Sequence, residues 1–414
     1  MGRESGHGTF IRKKDEKYMA KLDFTIRLIT PAFIGGGDDD PVKGVFHGRE
    51  PEQTYHRKIG PKGDGLRIPS LKGVLRFWYR SLYGGIKLDS LKEREARIWG
   101  DAGNYQGIKI IPVDINQFQI IELEYKPGSA PAYLGYGPIN NNKITKKTSS
   151  HNSNMYRDAI CERSTFTFRS IGTTEQIEAL KDSLQMLHYF GGLGSRSRRG
   201  FGSVAVEYDG FPPAFPMNGN ITNWFNETVW NPILNREGIA TQSPTYSAFY
   251  LNKATPLNGT RYKFFLGDNN ALLNNYDDVF KLFHRKFAEV RLWRNPYQIP
   301  RPTIAQNDHD LEEADSKGSA ITKAPLRIAY GMPYHPTSFD NHWKIEYQTT
   351  NKDIIRRASP LFLKVLQPTT NGYMGIALFL RAEFFGTTGV NIQAKGITGD
   401  KPFPRYSAVD EFMN

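Results

Sequence analysis

The sequence predicts an α+β protein, and three observations lead there. Segments with the two-residue alternation of half-buried strands recur along the first 210 residues, and two segments carry an apolar stripe at helical spacing. They follow one another as strand, helix, strands, strand, helix, strand. That order is the split β-α-β-β-α-β pattern of a ferredoxin-like (RRM-like) fold, an antiparallel sheet with both helices on one face. A proline-rich break, Gly210 to Pro216, then opens a second half.

Residues 22–29 alternate apolar and polar side chains, and Thr30-Pro31 ends that strand. Residues 33–67 are rich in Gly, Pro and charge, and a stretch of that length predicts a functional loop or projecting finger. Residues 68–85 predict a helix, with Ser70 as N-cap, Gly84 as its stop and Leu71, Val74, Leu75, Trp78 and Leu82 on one face. Residues 106–113 and 118–125 read as a strand pair, 133–138 as a turn, and 140–154, with Lys143, Lys146 and Lys147, as an exposed loop. Another strand is expected over 163–171. A helix over 174–190 follows, with Ile177, Leu180, Leu184, Leu187 and Tyr189 inward, and a strand over 203–208 closes the pattern.

The chain is therefore divided into an N-terminal arm over 1–20, a domain over 21–210 and a second domain over 217–414. In the last, residues 276–290 predict a helix with Val279, Leu282, Phe283 and Phe287 inward and Lys281, Arg285 and Lys286 outward. Residues 295–318 read as an irregular, exposed acidic segment holding Asp308, Asp310, Glu312, Glu313 and Asp315. Strands are expected at 326–330, 361–366 and 374–384. These elements suggest a degenerate copy of the first fold, again with long inserted loops.

At 414 residues and 39% apolar content the chain can bury a proper core. Its 54 Lys and Arg against 42 Asp and Glu leave a net charge of +12, which suits a polyanion such as nucleic acid. A solvated basic surface is the alternative, and charge alone does not choose between them. Aromatic residues make up 13%, as core or as stacking platforms for unpaired bases. The single cysteine, Cys161, excludes an internal disulfide and a cysteine-based zinc site, and fits a reducing cytoplasm. No apolar run is long enough to cross a membrane, and no apolar signal region opens the chain, so a cytoplasmic location without a membrane partner is expected.

The most informative stretch is Gly191-Gly192-Leu193-Gly194-Ser195-Arg196-Ser197-Arg198-Arg199-Gly200-Phe201-Gly202-Ser203, with no acid among its glycines and arginines. Glycine lets a backbone turn its N–H groups toward an anion, and arginine brings forked donors that match phosphate. The loop follows a helix and lacks Gly-Lys-Ser/Thr, so it is neither a Walker loop nor a dinucleotide fingerprint. Lys72, Arg76 and Arg80 form a second basic feature, one stripe along the first helix. Like charges at that spacing repel, which points to an anion; the alternative is a solvated face of snorkelling side chains.

The candidate RNA-binding residues are thus Lys72, Arg76, Arg80, Gly191, Gly192, Gly194, Ser195, Arg196, Ser197, Arg198, Arg199, Gly200, Phe201 and Gly202, with Tyr133, Tyr136 and Phe201 as stacking candidates. Helix and loop are expected to converge on a shared trough. For catalysis, Asp38-Asp39-Asp40 and the basic surroundings of His56 offer only weak signals for metal-dependent or metal-independent RNA cleavage. His188 reads as packing at a helix end. No histidine pair has metal-ligand spacing, no nucleophile motif is present, and neither cofactor nor metal is expected.

Three segments in this order carry a resemblance: Thr30-Pro31-Ala32-Phe33-Ile34-Gly35-Gly36, then residues 68–80 with Ser70-Leu71-Lys72-Gly73 and Arg76-Phe77-Trp78, then the glycine loop. They resemble the RAMP superfamily of CRISPR systems. The Arg-Phe-Trp of the helix and Arg356-Arg357-Ala358-Ser359-Pro360-Leu361 resemble the tip subunit of the type III-B (Cmr) effector. The resemblance implies two ferredoxin-like domains and a place at the end of the complex near the guide RNA 3′ side. It implies a non-catalytic subunit in antiviral defence that holds guide RNA and target RNA beside other Cmr-type subunits. The competing expectation is a RAMP-type endoribonuclease that processes guide RNA or cleaves target RNA.

Overall fold

The computed structural model describes residues 19–34, 66–136 (122, 124 and 127 apart) and 159–216 of the first half. Of the second half it describes 220–236, 239–241, 249–252, 259–290, 292, 297–300, 303–316, 326–330, 344–345, 347–348, 354–355, 358–381, 390–394, 397–401 and 406–414. The expected arm before Met19, most of the 33–67 loop with Asp38 to Asp40 and His56, the lysine loop at 140–154, and Arg356-Arg357 lie outside these residues.

The first sheet is built from β1 (Met19–Leu28), β2 (Lys109–Gln117), β5 (Thr165–Thr173) and β6 (Val204–Glu207), in the spatial order β2-β5-β1-β6. Every neighbouring pair is antiparallel. Between β1 and β2 run α1 (Ile68–Tyr83) and α2 (Leu88–Trp99); between β5 and β6 runs α4 (Thr174–Phe190). Each helical crossover thus joins strands separated by one intervening strand, the split arrangement the element order predicts. Met19 pairs with Thr173, so the last two residues assigned to the arm begin β1.

Alternation fixes which face is buried. Phe24, Ile26 and Leu28 of β1 and Phe166 and Phe168 of β5 face the helices and are at most 1% exposed. On the other face Asp23 takes a forked pair of bonds from Arg169 at 2.7 and 2.9 Å, and Thr25 meets Thr167 at 3.1 Å. No aromatic side chain lies on that outer face, so the sheet offers no stacking platform there.

α1 begins after Arg67 with Pro69 in its first turn, and Ser70 is an exposed residue inside it, not its N-cap. Proline suits that place because the first-turn N–H groups have no partner within the helix. α4 runs as expected and starts with a capping box, Thr173 Oγ1 accepting from Gln176 N–H and Gln176 Oε1 accepting from Thr173 N–H.

Residues 106–125 do not form a hairpin. β2 pairs with β5, while β3 (Ile120–Ile121) pairs with β4 (Ala159–Ile160). The two short strands extend the β2–β5 arm beyond the bulges at Pro112 to Gln117. The expected turn at 133–138 is preceded by a short helix, α3 (Ala130–Leu134), capped by Ser129.

Beyond the proline-rich break, α5 (Ile221–Phe225) continues through a π-helical turn (Asn226–Trp230) into α6 (Asn231–Leu234). The second sheet follows, from β7 (Arg261–Phe265), β11 (Leu361–Thr369) and β12 (Gly372–Phe379), in the order β11-β12-β7. α7 (Tyr276–Val290) and α9 (Ser407–Met413) cover one face. The order β7, α7, β11, β12, α9 repeats the first five elements of the split pattern. Three shorter pieces, β8 (Lys344–Ile345), β13 (Val390–Ala394) and β14 (Ile397–Lys401), make a separate sheet, and β9 (Tyr347–Gln348) pairs with β10 (Ile354–Ile355).

α4 lies between the two main sheets. Phe362, Leu366, Met374, Ile376 and Leu378 pack into the same core as Phe24 and Phe168, while Leu361, Leu363, Val365 and Phe379 pack with Val279, Phe283 and Phe287 of α7. Both cores therefore draw on residues from both sides of the proline-rich break.

Three expectations in the second half are corrected. Residues 295–318 hold a helix, α8 (Thr303–Ser316), in which Asp308 is fully buried. Its carboxylate accepts from the N–H groups of Leu326 and Arg327 and from Arg327 Nε at 2.7–2.9 Å. Leu326–Tyr330 is a 3-10 turn headed by that carboxylate, not a strand. The strand expected over 374–384 ends at Phe379. Among the described residues no helix is long and apolar enough to cross a membrane.

Candidate nucleic-acid interface

The three segments that carry the family resemblance meet in space. The glycine loop leaves α4 at Gly191 and folds back onto the segment after β1. Thr30 Oγ1 donates to the Gly200 carbonyl at 2.7 Å and accepts from Ser203 N–H at 2.9 Å. Gly202 N–H donates to the Pro31 carbonyl at 2.8 Å, and Ser195 N–H to that of Phe33 at 3.0 Å. α1 closes the third side: a Cβ on Gly191 would lie 2.5 Å from Trp78 Nε1.

This geometry explains the glycines differently from the sequence reading. Gly194 (φ +82°) and Gly202 (φ +63°) adopt the left-handed conformation, and a Cβ on either would lie 2.4 Å from the Phe33 carbonyl oxygen or 1.9 Å from that of Leu193. Gly191, Gly192 and Gly200 are buried in similarly close contacts. The loop's backbone approaches its own chain, and its Leu193, Ser195, Arg199 and Gly202 N–H groups are taken by protein carbonyls.

The arginines divide. Arg198 is half-buried, with its guanidinium 4.4 Å from the Phe362 ring centroid, 4.9 Å from Phe249 and 5.5 Å from Phe77, and its Nη1 donates to the Ser359 carbonyl at 2.5 Å. Arg199 lies 4.8 Å over Phe287. Both tie the loop to the second half of the chain. Phe201 is fully buried against Phe33 and Phe280, so it sits in the core where no base can stack. Ser195 and Ser197 are half-buried. Arg196 alone of the loop's arginines is exposed, held at a φ of +64°. The folded loop still desolvates its guanidinium enough to lower its pKa, with Tyr136 acting the other way. Tyr136 is 64% exposed, whereas Tyr133 stacks on His284 at 4.8 Å.

The basic stripe of α1 is also partly engaged. Glu95 of α2, 6% exposed, accepts from Arg76 Nε at 2.7 Å and lies 3.6 Å from Arg80 Nη1. Residues 88–99 carry no clean apolar stripe or motif, so this carboxylate of α2 shows only in the fold. One acid faces three cations, however. Lys72, half-buried, has no acid partner among the described residues; burial, and then Arg76, lower its pKa. Helix and loop do converge, but through Phe77, Trp78 and Arg198. Of the six predicted cations, Lys72 and Arg196 have no carboxylate against them among the described residues, and Arg196 has the Tyr136 phenol nearby.

A further buried cation supports the loop. Lys364 of β11 is 1% exposed, and its Nζ donates to the carbonyls of Leu187, Gly191 and Val204 at 3.1, 2.6 and 2.7 Å. It caps the negative end of α4, where the glycine loop begins. Burial pushes its pKa well down. A lysine inside the apolar run 361–366 was the available signal. His188 is buried one turn before, its Nδ1 accepting from Val206 N–H at 3.0 Å, which agrees with the packing role expected for it.

The RAMP superfamily profile matches residues 25–205, the span from β1 to β6. Two relatives come from Pyrococcus furiosus. CRISPR system Cmr subunit Cmr1-2 is 27% identical over 207 residues, 46% of this chain and 96% of its own. Cmr1-1 is 24% identical over 330 residues, 77% of this chain and 81% of its own. The crystal structure of Cmr1 from the same organism, in its apo form, aligns over 95% of this chain and 96% of that one, with a TM-score of 0.43 and 17% identity. Residues 25–205 thus carry the match to the RAMP superfamily, and the chain is similar to Cmr1 proteins.

Proposed function

We propose that the chain is an RNA-binding subunit of a type III-B CRISPR effector complex. In this reading it caps the end near the guide RNA 3′ side and helps hold guide and target RNA without cutting either. The observation that carries the reading is the junction of glycine loop, β1 exit and α1, from which Lys72 and Arg196 offer charge that no described carboxylate neutralises. The net charge of +12 and the relatives named as Cmr subunits support it. Arg80, whose side chain is 51% exposed beside Glu95, and Tyr136 complete the candidate contact surface.

Titration of a labelled single-stranded RNA tests the surface. Lys72→Glu with Arg196→Glu is expected to weaken binding by about tenfold or more and to lower the salt slope by about two. Unchanged affinity and slope in that variant would remove the interface. Incubation with guide precursor and generic RNA, with and without a divalent metal, is expected to leave both intact. Specific cleavage that disappears in His56→Ala, or on neutralising Asp38 to Asp40, would replace this reading with an endoribonuclease. A pull-down from the native cell is expected to recover a small guide RNA and sister subunits.

A further inference from the structure

β7 is the outer strand of the second sheet. It pairs with β12 from Arg261 to Phe265, and among the described residues nothing pairs with its other edge. In the first sheet the equivalent edge, that of β1, is covered by β6. No described strand takes that place beside β7.

A groove of about 500 Å³ lies along this free edge. Lys263, Phe264, Phe265 and Leu266 line it in succession. Successive residues of a strand point to opposite faces, so the groove follows the edge itself and its backbone groups. Thr222 of α5 stands on one side, and Leu282, Arg285, Lys286 and Glu289 of α7 on the other. An unpaired edge presents alternate N–H and C=O groups, a template for an added strand. The charge in the groove is unbalanced. Glu289 lies 3.6 Å from Arg285 and 3.5 Å from Lys286, and Lys263 is near enough to Lys286 that this charge, after burial, lowers its pKa.

We propose that the free edge of β7 docks an extended acidic peptide segment of a partner protein, which completes the second sheet as its fourth strand. The excess of cations selects acidic side chains on the α7 side, and the apolar lining suits β-branched residues between them. An RNA strand fits less well. Its phosphates could accept from the cations and the outward N–H groups, but they have no donors for the outward carbonyls.

The full chain can be tested with a fluorescein-labelled hexapeptide of alternating glutamate and valine. Hydrogen exchange is expected to slow at alternate amides of residues 261–265 when the peptide is added. Lys263→Glu with Arg285→Glu is expected to weaken binding by about tenfold or more. N-methylation of the peptide at alternate residues should do the same when the methyls fall on the pairing edge and little when they fall on the other, a comparison that needs no protein variant. The proposal is overturned by any of three results: no amide protection at millimolar peptide, equal binding of a lysine–valine peptide, or protection of these amides by oligouridine and not by peptide. None of these readouts uses the glycine loop, so they stand or fall apart from the RNA-binding reading.

Discussion

On the first sheet, β1 and β5 turn Phe24, Ile26, Phe166 and Phe168 toward the helices and Asp23, Thr25, Thr167 and Arg169 the other way. On the second, β11 and β12 turn apolar side chains both ways, toward α4 on one face and α7 on the other. The plan of strands and helices is shared; the surroundings are not. A sheet with one wet face writes strict alternation into its sequence, whereas a sheet covered on both faces writes continuous apolar runs such as Met374 to Phe379. The polar interruption within the apolar run 361–366 is therefore consequential. Lys364 stands between Phe362 and Leu366 on the α4 side, and it joins the second sheet to the end of α4 and the start of the glycine loop.

Breaking that join is expected to have the largest effect. Lys364→Met removes a donor shared by three buried carbonyls, at a cost of about 3 kcal/mol or more, measured by urea denaturation. A loss under about 1 kcal/mol would mean that the two sheets do not depend on this contact. Next comes Arg198→Ala, which empties the space between Phe77, Phe249 and Phe362 and frees the Ser359 carbonyl. It is expected to cost about 2 kcal/mol. Because Arg198 is engaged inside, RNA affinity per folded molecule should change less than in the Lys72 and Arg196 variant.

The third test uses pH. Burial, and then the nearby Lys364, hold the His188 pKa down to about 3. In the unfolded chain the imidazole takes up its proton near pH 6.5. Between those values the unfolded state binds a proton that the folded state refuses. Stability should therefore fall as pH drops, by about 2 kcal/mol from this residue between about pH 7.5 and about pH 5. His188→Gln, which keeps an acceptor for Val206 N–H, is expected to flatten that dependence in melts at the two pH values; an equal slope in both proteins would contradict the assignment. The smallest effect is predicted on the wet face of the first sheet. Asp23→Ala or Arg169→Ala removes an exposed ion pair and should leave Tm unchanged within scatter, since water and salt screen such pairs.

Two helices are hidden from periodicity by the same kind of residue. α2 and α8 were missed because an acid occupies the inward stripe of each: Glu95 beside Leu91 and Ile98, and Asp308 beside Ile304 and Leu311. An apolar period broken by a carboxylate reads as loop until its arginine, Arg76 in one case and Arg327 in the other, is seen across the fold. The supposed hairpin at 106–125 failed for another reason. Alternation marks a strand but not its partner, and both strands pair far down the chain, Lys109 with Ile171 of β5 and Ile120 with Ile160 of β4. Residues 326–330 have the alternation of a strand but too little length to separate it from a 3-10 turn.

Periodicity alone determined β1, α1, α4, α7 and the split order of the first half, because burial on one face repeats at the spacing of the element that buries it. The motif residues alone marked which three segments would matter. Which arginines remain available to a ligand, which glycines are needed by the loop's own backbone, and which strand edge is left open were decided by tertiary packing. Each depends on a neighbour distant in the chain: Glu95 for the stripe, the aromatic rings for Arg198 and Arg199, and a missing fourth strand among the described residues for β7.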